Sequence, residues 1–502
     1  MNRTAGILLP ITSLPSKYGI GCFSKSAYDF IDWLKKAGQC YWQILPLVPT
    51  SYGDSPYQSF STYAGNPYFI SLEALIEEGV LTEEECDGAD FGSDPKEVDY
   101  EKLYQARYLL LRKAYERSQI AQNPEYLKFV EENSWWLKDY GLFMAVKERF
   151  QGKPWTEWAE DIRLRWDFAM DYYRREQYFE IEFHQYLQYQ FYKQWMKLKT
   201  YANENGIRIV GDIPIYVALD SADTWACPEL FQLDSNNVPI AVAGCPPDGF
   251  SATGQLWGNP LYRWEYHEST GFQWWMKRLD YCFRLYDVVR IDHFRGFDQY
   301  YSIPFGAESA VNGTWEQGPG IRLFNRMREV LGHREVIAED LGYVTDSVRK
   351  LVADSGFPGM KVLEFAFDSR DTGCANDYLP HNYIENCVAY TGTHDNETLA
   401  GWFNSITKEE LDLARNYLCD EYTPKKYLYR SFISLVMRSC ACLCIIPMQD
   451  YLGYDNSARM NRPSTVGTNW KWRLTEEELS QELQKEIYET ARRYGRLGWQ
   501  AE

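Results

Sequence analysis

Eight short apolar runs of β type recur along the chain, most of them separated by stretches with helical spacing. They are "GILLPIT" (6–12), "CYWQILPL" (40–47), "IRIVGDIPIY" (207–216), "DVVRID" (287–292), "EVIAED" (335–340), "KVLEFAF" (361–367), "CVAYTGTHD" (387–395) and "CACLCIIPM" (440–448). Helical patterns such as "SAYDFIDWLKKAG" (26–38) and "VTDSVRKLVADSG" (344–356) precede the second and sixth runs. Strand-type and helix-type patterns in alternation imply a parallel sheet, and eight of them imply a (β/α)8 barrel. The 502 residues would allow about three domains by length alone. No repeat, low-complexity segment or linker divides them, so one barrel domain over 1–502 is expected. Residues 70–205 are almost wholly helical in pattern and rich in Glu, Lys, Tyr and Trp; they read as a helical insertion after the second strand. Residues 218–285 are turn-rich and read as a second insertion, after the third strand.

The polar ends of these runs are harder to explain as packing. "VVRIDHFRGF" (288–297) starts as a buried strand and then places Arg290, Asp292, His293 and Arg295 within six residues. Stranding such groups in a core costs several kcal/mol. A barrel supplies another place for them, because its active site lies at the C-terminal ends of the strands. Asp212 marks the third run, Glu339 and Asp340 the fifth, and His394 and Asp395 the seventh. Strand side chains alternate faces, so Arg290 and Asp292 point the same way. A guanidinium there is expected to lower the Asp292 pKa and keep it ionised, as a nucleophile requires.

Composition narrows the partner. The formal net charge is −19, which argues against nucleic acid and anionic membranes, since both want a basic face. No run of ~18 apolar residues offers a membrane span. The N-terminus has no signal-peptide or transit pattern, and twelve scattered cysteines read as reduced thiols, so a cytoplasmic location is expected. "CACLC" (440–444) alternates as a strand would, pointing Cys440, Cys442 and Cys444 to one face; without zinc spacing around them they read as small buried hydrophobes. Aromatic residues make up 16% of the chain, including 18 Trp and 39 Tyr. Many lie in polar loops such as "SYGDSPYQSFSTYAGNPYF" (51–69) and "TNWKWR" (468–473). Aromatic faces beside Asp, Asn and Gln suit sugars, which stack their C–H faces and pair their hydroxyls. The aromatics of "EFHQYLQYQFYKQWMKLK" (182–199) are instead expected to pack a helix. Converging carboxylates could hold Mg²⁺, but the loop aromatics and the Arg among the acids favour glycoside chemistry.

At this level of detail the chain resembles glycoside hydrolase family 77, the 4-α-glucanotransferases. The resemblance runs from about Gly6 to Trp472. It rests on "LLPITSLPSKYGIG", "SPYQSFSTYAGNPYFISL", "GDIPIYVALDSADTW", "GCPPDGFSATGQLWGNPLY", "VVRIDHFRGF", "VIAEDLG", "TGTHDNET" and "SARMNRPST". It implies a (β/α)8 barrel with insertions, no metal and no cofactor. It also implies maltooligosaccharides and α-1,4-glucans as partners, and a retaining mechanism through a covalent glycosyl-enzyme. No counterpart of the extra N-terminal domains of longer members is expected.

The resemblance also implies roles. Asp292 is the implied nucleophile, Glu339 the general acid/base and Asp395 the transition-state stabiliser. Strand parity alone does not choose Glu339 over Asp340; the family pattern does. Arg290 and His394 are implied to flank the sugar in the −1 subsite, with Asp212 in support and Tyr57 stacking on the donor. The loop 244–257 resembles one that closes over the glucan, with Asp248, Gln255 and Trp257 as contacts. Tyr52 and Tyr100 are implied in a remote glucan groove. Raised by neighbouring acids, the Glu339 pKa should sit above the usual range. Two other readings remain open, an α-amylase-like retaining hydrolase and a non-catalytic glycan-binding barrel; the second would be expected to lack one of the three acids.

Overall fold

The computed structural model describes residues 3–51, 53–247, 251–342, 344–368 and 376–498. Each of the eight apolar runs contributes one barrel strand: β1 (Thr4–Leu8), β2 (Tyr41–Gln43), β3 (Arg208–Pro214), β4 (Val288–Asp292), β5 (Val336–Ala338), β6 (Gly359–Val362), β7 (Cys387–Tyr390) and β8 (Leu443–Pro447). Each is hydrogen-bonded to its sequence neighbours, and β8 closes the ring against β1. All pairings are parallel, with Thr4 opposite Leu443 at the closure. Such strands are buried on both faces, which is why they read as apolar runs rather than alternating ones. The barrel is the expected (β/α)8 fold.

Two local expectations fail. The sixth run, 361–367, is strand only to Val362; Leu363–Phe367 coils into a 3-10 turn. The Glu364 N–H still finds a backbone partner, the Thr391 carbonyl at 3.2 Å, so the turn leaves no stranded donor there. The "CACLC" thiols do not share a strand face. Pairing with β1 begins only at Leu443, so Cys440 and Cys442 lie before the strand. Cys440 is exposed and its thiol donates to the Tyr383 carbonyl; those of Cys442 and Cys444 donate to the carbonyls of Cys387 and Val436.

Between β2 and β3 lie helices from Leu72 to Glu204. The last, Tyr178–Glu204, buries Phe183, Tyr186, Leu187, Phe191, Trp195 and Leu198. The aromatics of 182–199 pack into the core, as expected. Gln188 on this helix accepts from the Gly65 N–H (2.7 Å) and donates to the Gly65 carbonyl (2.9 Å). Gln194 accepts from the Ser71 N–H at 2.7 Å. Buried amides thus satisfy backbone groups of Gly65 and Ser71 in the loop 53–71, which carries Tyr57 to the barrel mouth.

A small antiparallel sheet stands beside the mouth. Its strands, in spatial order, are Gln255–Pro260, Ala241–Cys245, Gln299–Pro304 and Thr314–Gln317. The first two come from the β3–β4 connection and the last two from the chain after β4. Ala241–Cys245 and Gln255–Pro260 pair antiparallel, Cys245 opposite Gln255.

Candidate active site

The polar mouth of the barrel is built on the register of β3 and β4. Asp212 lies opposite Arg290, and Pro214 opposite Asp292. Arg290 Nη1 reaches Asp212 Oδ2 at 2.6 Å, and its Nη2 reaches Asp292 Oδ1 at 3.1 Å. The Tyr57 hydroxyl donates to the same Asp212 oxygen at 2.8 Å. Asp212 is fully buried and Arg290 nearly so. One guanidinium thus serves two carboxylates, one at the floor and one at the mouth. Beyond Asp292, His293 takes a left-handed backbone conformation (φ 53°) that ends the strand. Its ring meets Trp257 edge-on at 4.8 Å.

Asp292 is not held low, as the Arg290 contact alone predicts. Burial and the charges of Asp212 and Asp395 outweigh the guanidinium and push it up to about 6. Arg290 makes its shorter contact with Asp212, so its field is shared.

Glu339 and Asp340 follow β5 and diverge. Glu339 accepts two backbone amides, His293 N–H on Oε2 (2.7 Å) and Leu341 N–H on Oε1 (2.8 Å). Those bonds favour the anion, but burial and then the charge of Asp292 outweigh them and raise Glu339 to about 7. The upward shift is as expected, with burial rather than the neighbouring acid as its larger cause. Asp340 turns aside and accepts the Met360 N–H at 2.8 Å. Its carboxylate fills the space where Gly359 lacks a Cβ.

His394 and Asp395 sit on the turn after β7. His394 Nε2 lies 3.3 Å from Asp395 Oδ2, and its ring stacks on Tyr57 at 5.1 Å and 15°. Burial opposes ionisation of Asp395, but His394 and the Asn461 amide (2.6 Å to Oδ1) outweigh it and hold the carboxyl well below the usual range. The same pairing raises His394 against burial. Asn461 was missed by sequence reasoning, although it lies in "SARMNRPST", as was Arg459, whose Nη2 donates to the Asp395 carbonyl at 2.7 Å. The signal was present, an Arg and an Asn in a polar loop, but nothing in one sequence pairs that loop with β7.

The other expected contacts are dispersed. Gln255 and Trp257 are on the first strand of the small sheet, where the indole N–H donates to Gln255 Oε1 at 3.1 Å. Tyr100 begins the helix Tyr100–Ser118, and its hydroxyl donates to the Trp470 carbonyl at 2.7 Å. Trp470 in turn lies 6.0 Å from both Tyr57 and His394. Tyr52 and Asp248 lie outside the described residues. Among the described residues, no group of three or more His, Cys, Asp or Glu side chains is arranged to hold a metal ion, and no helix is long and apolar enough to cross a membrane.

Comparison with known proteins gives this geometry a family. The chain is 47% identical to the 4-alpha-glucanotransferase of Clostridium butyricum over 488 residues, 97% of this chain and 99% of that one. It is 48% identical to that of Streptococcus pneumoniae over 499 residues, covering 99% and 98% of the two chains. The structure superposes on the amylomaltase of Streptococcus agalactiae, solved with acarbose, with a TM-score of 0.95 at 42% identity, over 98% and 99% of the chains. Residues 9–480 match the Glyco_hydro_77 family, described as 4-alpha-glucanotransferase, and the chain belongs to that family.

Proposed function

We propose that this protein is a 4-alpha-glucanotransferase that moves a segment of an α-1,4-glucan onto the 4-OH of an acceptor glucose or glucan, with Asp292 and Glu339 as its reacting pair. The observation that carries the assignment is the separation of the acids by environment. Asp395 is held low, Asp292 is pushed up to about 6 and Glu339 to about 7. Asp395 is thus separated from a raised pair, and one acid of such a pair can carry the proton that a leaving oxygen needs while the other attacks.

Asp292 attacks C1 of the donor sugar while protonated Glu339 gives its proton to the leaving oxygen. The reducing-end fragment departs, and the sugar remains bonded to Asp292. Glu339, now ionised, takes the proton of the incoming 4-OH as the acceptor displaces Asp292. Retention by this route requires carboxyls ~5–5.5 Å apart. Arg290 spreads its charge over Asp292 and Asp212, favouring departure of the Asp292 carboxylate. Asp395, ionised and braced by Asn461, offers hydroxyl contacts as the ring flattens. Tyr57 and His394, stacked together, form an aromatic wall for the −1 sugar, with Trp257 across the mouth beside His293. The acarbose held by the Streptococcus agalactiae relative supports an α-glucoside in this cleft. Tyr52, Tyr100, Asp248 and Gln255 are proposed as further glucan contacts.

Product analysis on purified maltotriose tests the reading. Transfer yields glucose together with oligomers longer than the substrate; shortened products without elongation would identify a hydrolase instead. Asp292→Asn should fold normally and lose turnover, because an amide is a very weak nucleophile. Near-normal turnover by that variant would remove Asp292 from the mechanism.

A further inference from the structure

Beneath the turn that carries His394 and Asp395 lies an acid that the mechanism does not use. Glu364, on the 3-10 turn after β6, is only 7% exposed. Among the described residues its Oε1 has no hydrogen-bond partner, and it lies against Gly392, 2.9 Å from where a Cβ would stand. The carboxyl faces acids from two other elements, Asp450 on the helix Met448–Leu452 and Glu397 beyond the β7 turn. Asp450 is itself committed: it accepts the Thr391 hydroxyl at 2.5 Å and the Leu399 N–H at 2.8 Å. Glu397 accepts the Asn456 amide at 2.6 Å. The cation acting on Glu364 is Arg459, whose guanidinium is spent on the carbonyls of Asp395 (2.7 Å) and Asn461 (2.8 Å). An anionic oxygen without a donor, in an acid-lined and buried site, is strongly disfavoured.

Asn396 packs on the same bare face of Gly392, its Cβ 3.1 Å from where a Gly392 Cβ would stand; its amide favours the Glu364 anion but is outweighed by burial. Asn396 Oδ1 accepts the Thr393 N–H (2.9 Å) and the Thr393 hydroxyl (2.8 Å). Thr393 Oγ1 in turn accepts the Asp395 N–H at 3.3 Å. A chain of contacts therefore runs from Glu364 across Gly392 to Asn396 and Thr393, and so to the backbone of Asp395.

We propose that Glu364 is a positioning residue that acts as a neutral carboxylic acid, packing against Gly392 and Asn396 and, through Thr393, fixing the turn that presents His394 and Asp395 to the sugar. Burial and then Asp450 and Glu397 keep the proton on this carboxyl well above the usual range. The proposal rests on the placement of Asp395 in the reacting cleft given above.

Glu364→Gln, Glu364→Ala and the parent enzyme test it. An amide has the shape of the neutral acid and cannot ionise. Glu364→Gln should keep kcat on maltotriose within about threefold, whereas Glu364→Ala should lose at least tenfold in kcat with a smaller change in KM. The stability readout is independent of any role for Asp395. In the unfolded chain Glu364 ionises near pH ~4.3, whereas in the folded chain it stays protonated to higher pH. The parent should therefore lose stability relative to Glu364→Gln as pH rises from about 5 to 8. The Tm advantage of Glu364→Gln should grow across that window. A Tm difference independent of pH would overturn the neutral acid. Equal losses of kcat in Gln and Ala, or no loss in Ala, would overturn the positioning role even with the stability result in hand.

Discussion

Glu339 and Asp340 are adjacent in sequence and lead different lives. Asp340 is consumed by the Met360 N–H and the bare face of Gly359, while Glu339 is raised by burial and by Asp292. Two consequences follow for rate against pH. On the proposed mechanism, attack needs Asp292 ionised, so activity should rise as pH climbs through about 6. Departure needs Glu339 protonated, so activity should fall through about 7; the two limbs belong to the interacting pair. Glu339→Gln should slow transfer from maltotriose by ~10²–10⁴-fold and remove the alkaline limb. With α-glucosyl fluoride, whose leaving group needs no proton, it should accumulate a sugar on the Asp292 peptide, visible by mass spectrometry. Asp340→Asn should show no such trap. If Asp340→Asn traps sugar and Glu339→Gln turns over freely, the two roles must be exchanged. The acids themselves were legible in the chain as charges at strand ends. Their titration was legible only in part: the rise at Glu339 was expected, but Arg290 beside Asp292 predicted a lowered pKa, and only the packed cleft, with Asp212 taking the shorter contact, reverses the sign.

Elements were legible where they repeat a period and obscure where they do not. All eight barrel strands were marked by apolar runs, because a parallel strand is buried on both faces. The small sheet was not: "QYYSIP" and "TWEQ" (Gln299–Pro304 and Thr314–Gln317) are short and partly polar, and Thr314–Gln317 is largely solvent-facing. Loop 53–71 shows how one element places another. Gly65 has both backbone groups taken by Gln188, and a Cβ there would overlap the Phe191 ring of the same helix. Gly65→Ala should therefore cost about 1–3 kcal/mol by overpacking. Because the strain lies in the loop carrying Tyr57, it should also raise KM for maltotriose. Calorimetry together with steady-state kinetics checks both; an unchanged Tm would mean that the loop yields freely.

At the scale of the whole molecule, the ring must join its first strand to its last across the entire sequence. Arg496 does this from the C-terminal side. It is fully buried and donates to the carbonyls of Thr4 and Ala441 (both 3.0 Å), Ser439 (3.0 Å) and Met437 (2.6 Å). Arg496→Met keeps much of the volume and strands those acceptors. It should destabilise by about 2–4 kcal/mol, from the loss of charged hydrogen bonds, and lower Tm while leaving kcat of the folded fraction unchanged. A matching fall in kcat at a temperature far below Tm would show that closure and chemistry are coupled.

What this sequence determined by itself is therefore local: the periods that specify eight strands and their helices, the acids at the strand ends, and long motifs of one family. Periodicity and residue type are properties of short windows, so they survive without a structure. The tertiary structure decided what depends on distance between windows. It put Asn461 and Arg459 on Asp395, turned Asp340 away and gave Arg290 to Asp212 more than to Asp292. It also buried Glu364 beneath the β7 turn. Desolvation and charge coupling act through space, and no spacing along the chain encodes them until the barrel closes.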